Sequence, residues 1–191
     1  MQDYSGVFMA SQSITKETAA RRLVASSVKA ILWDHDPIGV HVMVLACHAL
    51  LREYGDAKGL KSKLDWRNYI RPEYRQEAFR DYIKRPYNFL KHAQRDPDEV
   101  LDIGNLPTQN DMMLLFNCIA HIEFFGKSFP HANLHLSRIQ IEHPNFLKDG
   151  NYKDIILSLA NEMSEYETRE SRLKFWRVYY RVNKFEVHEN A

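Results

Sequence analysis

Glycine and proline are scarce, with seven of each in 191 residues. That excludes a fold stitched from tight turns and favours long helices with few breaks. Cysteine occurs only twice, at Cys47 and Cys118, each inside an apolar run. A disulfide scaffold is therefore excluded. No Cys-x-x-Cys pair is present, so a zinc ribbon or finger is excluded as well. Two buried free thiols suit a reducing cytosol. The longest uncharged stretch, Pro37–Leu51, has fifteen residues and already includes His41 and His48; a membrane span needs roughly 18. The N-terminus has no basic head and no apolar run, so no secretory signal is expected. These absences together predict a soluble, cytoplasmic protein with no membrane partner. There is no glycine-rich phosphate loop, no Gly-x-Ser-x-Gly and no His-Glu-x-x-His, which leaves ordinary nucleotide hydrolysis and esterase chemistry without support. No cofactor and no metal site are expected.

What is present is core material: 45% hydrophobic and 12% aromatic residues. That is ample for one folded domain and argues against disorder. The net charge of +1 is unevenly spread. Residues 58–95 hold eleven Lys or Arg against four Asp or Glu, residues 169–184 hold six against Glu170, and the remainder is strongly acidic. Segregated charge of this kind permits RNA or another polyanion as a partner.

Helical spacing runs through most of the chain. Residues 1–12 read as a flexible leader. Ser13 or Thr15 caps a helix over Thr15–Trp33, with Ala19, Leu23, Val24, Val28 and Ile31 on its apolar face. Asp36-Pro37 supplies a cap and a first-turn proline. The helix that follows, Pro37–Tyr54, is apolar nearly all round and belongs in the middle of a bundle, with Gly55 and Gly59 ending it. After an aromatic, charged connection containing Trp66 and Tyr69, Pro72 opens a helix, and Pro86 either kinks it or starts another. Pro107 and Gly126 bracket the next helix. Residues 130–143 fit either an alternating strand or a helix, and the helical surroundings favour helix. Tyr152–Tyr166 and Glu167–Asn183 complete the pattern. The expected fold is all-α: a bundle domain over residues 13–147 of up-and-down helices, with a C-terminal helical extension over 148–191 packed on it.

The stretch from Arg85 to Asp98 concentrates the candidate chemistry. Residues seven apart on a helix differ by about 700°, so Arg85 and His92 share a face, with Asn88 between them. An arginine can hold phosphate oxygens as charge develops, and a histidine near its ordinary pKa can shuttle a 2′-hydroxyl proton. Lys91, Arg95, Asp96 and Asp98 complete a candidate binding set, and His41 on the apolar helix is placed where it can approach His92. The competing structural reading has Asp96 and Asp98 capping a turn and pairing with Lys91 and Arg95. His41 and His48 read as core histidines rather than half a metal site. The interleaved arginines and aromatics of 169–184 fit single-stranded RNA contacts. They fit better an amphipathic helix that packs Leu173, Trp176, Val178 and Tyr180 and leaves its arginines in water.

The run Asn88-Phe-Leu-Lys-His92-Ala-Gln-Arg-Asp96-Pro-Asp98 resembles a motif of small, helical bacterial proteins of uncharacterised activity, which carry Asn-Phe-Phe-Lys-His-Ala-x-Arg-Asp-Pro-Asp. The earlier Asp36-Pro37…His41 resembles their second motif, so the likeness spans about residues 15–147. The Arg85…His92 spacing is more distantly similar to HEPN nucleases and nucleotide-binding domains, which are helical bundles. Arg138…His143 and Arg181…His188 match the same loose spacing. HEPN sites usually place a polar residue after the arginine, where this chain has Pro86. The resemblance implies a HEPN-like binding or accessory module without turnover, working as a homodimer. The alternative is a metal-independent ribonuclease with Arg85, Asn88 and His92 as its site.

Overall fold

The computed structural model describes residues 13–60, 85–92, 97–143, 166 and 168–183. They form six helices and no strand: α1 (Lys16–Leu32), α2 (Pro37–Ala57), α3 (Arg85–Lys91), α4 (Leu106–Phe125), α5 (Pro130–Glu142) and α6 (Arg169–Val182). The fold is an all-α bundle. The expected leader, the Pro72 helix, the Trp66 connection and most of 148–167 lie outside the described residues, as do Arg95 and Asp96.

Local chemistry sets the helix ends. The Thr15 hydroxyl accepts from Thr18 N–H at 3.0 Å, and the Asp36 carboxylate accepts from Ile38 and Gly39 N–H at 2.9 and 3.3 Å. Each satisfies first-turn donors that have no partner within the helix. Prolines open α2, α4 and α5 at N1 or N2, where a missing N–H costs nothing. Gly126 ends α4 in the left-handed region at φ 65, a conformation that costs glycine little. α2 passes through Gly55 and ends at Ala57, because Gly55 is buried within the helix and the turn comes at Gly59. Residues 130–142 are helical. Arg85 and Pro86 both lie within α3, and the residues before Arg85, where the Pro72 helix was expected, lie outside the described ones.

Two antiparallel hairpins build the bundle. Cys47 on α2 lies against the Ala20 carbonyl of α1, and Asp111 near the start of α4 meets Arg138 near the end of α5. Between the hairpins, α2 and α4 run parallel: His41 meets Asn110 and His48 meets Asn117, seven residues further along both helices. The core joins Val24, Val28 and Leu32 of α1, Val44 and Leu51 of α2, Leu114 and Cys118 of α4, Ala132 and Leu134 of α5, and Leu173, Trp176 and Tyr180 of α6. α2 is not enclosed on every side. Gly39, Val42 and Ala46 face solvent, since they lie opposite the stripe Val40, Val44, Cys47 and Leu51 that the bundle takes up.

α6 lies across the end of α1. Thr168 and Ser171 form a reciprocal capping box at its start. Leu173, Trp176 and Tyr180 are buried as expected, whereas Val178 is exposed: it lies about half a turn from Trp176 and Tyr180 on the helix. The arginines do more than face water. Arg177 donates to the Leu32 carbonyl at the α1 C-terminus, where a cation is favoured by the exposed carbonyl ends. Arg169 pairs with Asp34 at 3.6 Å, and Arg181 sits 5.9 Å over the Trp33 ring.

Candidate functional site

Helix α3 carries Arg85, Asn88 and Lys91 of the predicted set, and His92 follows its last residue. Arg85 is exposed, and its Nε lies 3.8 Å from the Glu99 carboxylate. Pro86 beside it is buried. Asn88 and His92 are half-buried, and His92 N–H donates to the Asn88 carbonyl at 2.9 Å, extending the helical turn. Arg85 and His92 thus stand two turns apart. Lys91 turns to Tyr87, donating to its hydroxyl at 2.9 Å with Nζ 5.1 Å over the ring. Asp98 is exposed in the turn beyond.

His41 is placed by different partners. It is fully buried, and its Nδ1 lies 2.7 Å from Asn110 Oδ1. Asn110 Nδ2 donates to the Pro37 carbonyl at 2.8 Å, which orients the amide and assigns the imidazole proton to Nδ1. The pattern repeats at His48, with Nδ1 3.2 Å from Asn117 Oδ1 and Asn117 Nδ2 donating to Val44 at 2.9 Å. Burial lowers the pKa of both histidines, and the asparagine bonds oppose it. His41 Nε2 is a buried lone pair without a hydrogen-bond partner. Among the described residues, no group of three or more His, Cys, Asp or Glu stands where it can hold a metal. Asn110 and Asn117 escaped the sequence reading, although their spacing of seven echoes that of His41 and His48.

A second polar centre, also missed, surrounds Asp111. Its carboxylate meets the Arg138 guanidinium in a close pair and Arg169 at 3.8 Å. Arg138, only 1% exposed, also donates to Glu142 at 3.1 Å, and Glu142 accepts from Trp176 Nε1 at 2.9 Å. Burial works against the Arg138 charge, but Asp111 and Glu142 outweigh it and raise the pKa. His135 Nε2 lies 3.0 Å from the Asp111 backbone carbonyl, and burial followed by the Arg138 charge pulls its pKa to about 4. His131 meets the Tyr180 hydroxyl at 3.0 Å. A lone acid on an otherwise uncharged helical stretch and a lone arginine on the next helix were the signal. Arg138 is thereby committed to the core, and it does not serve the Arg138…His143 spacing as an open site.

Burial pushes the Cys47 thiol to about 12 and raises Cys118 as well, so neither serves as a nucleophile. No helix among the described residues is long and apolar enough to cross a membrane. Two buried polar networks tie helices together, whereas Arg85 and Lys91 of α3 are exposed. No protein-family model, curated protein or solved structure matches the chain.

Proposed function

We propose that the chain is a non-catalytic helical binding or accessory module, HEPN-like in carrying Arg85 and His92 at the two ends of one short helix. The observation that supports this is Glu99, which sits beside the Arg85 guanidinium. A carboxylate next to the Arg85 guanidinium opposes phosphate binding there and weakens transition-state stabilisation. The free buried thiols agree with a reducing, cytoplasmic setting. The basic segment 58–95 keeps a polyanion among the partners this module accepts, and a homodimer is its proposed assembly.

The second reading is a metal-independent ribonuclease. Arg85 is solvent-accessible, and His92 lies two turns further along, directly after α3, a placement compatible with phosphate-binding and acid–base roles on one substrate. Incubation of purified protein with single-stranded RNA, with and without chelator, decides between them. The module reading expects no cleavage above background. Cleavage that survives chelator and disappears in Arg85→Ala and His92→Ala establishes the ribonuclease.

A further inference from the structure

Helix α6 turns Leu173, Trp176 and Tyr180 inward and leaves Lys174, Val178, Arg181 and Val182 on the opposite face. At about 100° per residue these four form one stripe along the helix. Val178 is 55% exposed and Val182 72%. Exposed valine is a poor choice for a helix, because its branched side chain loses freedom there and gains no packing in return. On one side of the valines, Tyr179 is 43% exposed, and half-buried Phe175 stacks on exposed Tyr166 at 5.7 Å. On the other side run Lys174 and Arg181, with Arg181 held in place over Trp33 and exposed Glu170 one turn before Lys174 at the start of that edge. The result is an aliphatic stripe between an aromatic wall and a cationic rail.

We infer that this face docks an acidic amphipathic helix from a partner protein, whose apolar stripe covers Val178, Val182 and Tyr179 while its carboxylates meet Lys174 and Arg181. The inference rests on the binding-module reading and names its surface. Charge complementarity selects the occupant. A second copy brings the same cations to the seam, with Glu170 the sole carboxylate of its own α6. A phosphodiester chain satisfies the rail but leaves both valines against sugar and phosphate. A lipid surface needs a broader apolar face than two valines and a tyrosine edge. An amphipathic acidic helix matches every part of the stripe, as helices do when they lie in apolar grooves.

The test uses the full chain and a fluorescein-labelled peptide of about sixteen residues with leucine at a and d and glutamate at e and g of each heptad. Anisotropy is expected to show saturable binding, weakened at least about tenfold by Val178→Asp and by the pair Lys174→Glu/Arg181→Glu. The charge-reversed pair is expected to recover binding to the same peptide with lysine at e and g. Unchanged thermal melts confirm that these exposed substitutions leave the fold intact. Absence of saturation, or equal affinity across all variants, overturns the inference. So does binding of poly-uridine or phosphatidylserine vesicles that the variants abolish while the peptide fails to bind. A concentration-dependent dimer that Val178→Asp dissolves, without peptide binding, overturns it equally. RNA cleavage with peptide binding intact defeats only the non-catalytic reading, whereas no cleavage and no peptide binding defeats only this one.

Discussion

Replacing Arg138 by Met is expected to destabilise the fold by about 3 kcal/mol, because it removes a cation from the centre of a buried charge cluster. Arg138 is 1% exposed at the side chain, Asp111 6% and Glu142 9%. Methionine matches the length of the aliphatic stem, so little cavity forms and the electrostatic loss dominates. Removing one partner from a buried ion pair costs about 3–5 kcal/mol, since the remaining charge stays desolvated without its counterion. The lower end applies here. Asp111 keeps Arg169 at 3.8 Å, and Glu142 keeps the Trp176 indole at 2.9 Å. With a urea dependence of about 2 kcal/mol per molar, the unfolding midpoint falls by about 1.5 M. Adding Asp111→Leu is expected to restore part of the loss. The second substitution deletes the stranded carboxylate, while the backbone carbonyl that meets His135 remains. A double variant less damaged than Arg138→Met alone is the signature of an uncompensated buried charge. Urea unfolding followed by circular dichroism compares wild type, Arg138→Met, Asp111→Leu and the double variant. A single-variant loss under about 1 kcal/mol, or a double variant that loses the sum of both singles, refutes the reasoning and makes the cluster an ordinary screened pair.

Acid should act through the histidines. His135 falls from 6.5 unfolded to about 4 folded, so the unfolded chain binds the proton more readily. Its contribution is complete above pH 6.5 and is lost as pH falls toward 4, by about 3 kcal/mol in all. His41, His48 and His121 shift in the same direction through burial. Urea midpoints at pH 7 and pH 4.5 measure the loss, and His135→Gln is expected to flatten that pH dependence; an unchanged slope rules out His135 as a source. Asn117→Leu leaves the His48 imidazole without its partner and takes the second hydrogen bond from the Val44 carbonyl, and is expected to cost about 1–3 kcal/mol, with a thermal melt indistinguishable from wild type as the contrary result. Both thiols are buried and free. Ellman's reagent is expected to label neither quickly in buffer and both at once in denaturant, and rapid labelling of the native protein contradicts the enclosed α2–α4 seam.

Helix boundaries were legible because local chemistry writes them. Asp36-Pro37, Pro107 and Gly126 mark ends through donors satisfied or missing within a few residues, and the structure places α2 and α4 accordingly. Partners across the bundle were not legible, because periodicity tells which face of a helix is buried and not which helix lies opposite. His41 read as a candidate neighbour of His92, and its hydrogen bond goes instead to Asn110. Arg138 entered only through a loose Arg…His spacing, although its burial with Asp111 makes it one of the largest enclosed side chains. Hydropathy also misjudged α2. A helix without a polar face was expected to be surrounded, yet Val42 is exposed. For the candidate site, sequence placed Arg85 and His92 on one helical face but could not foresee Glu99, since that pair depends on how the chain turns after α3.

The two His–Asn pairs bear on more than local packing, because together they fix how the hairpins meet. Each pair joins residues 69 apart in sequence, and equal offsets are possible only when α2 and α4 run in the same direction. Apolar contacts such as Val44 and Leu114 tolerate a slide of one turn, since one aliphatic side chain replaces another. The polar pairs do not. A one-turn slide moves both asparagines off both imidazoles and leaves four buried groups unsatisfied, at about 1–3 kcal/mol each. That penalty is comparable with the whole stability of an ordinary domain, about 5–15 kcal/mol. A slide of two turns keeps one pair and still strands the other. Direction and register of α2 therefore follow from four side chains, and with them the position of the α1–α2 turn. That turn holds Trp33 and Asp34, which contact Arg181 and Arg169 of α6. The cationic rail of the outer α6 face is thus positioned by hydrogen bonds deep in the seam between the two hairpins.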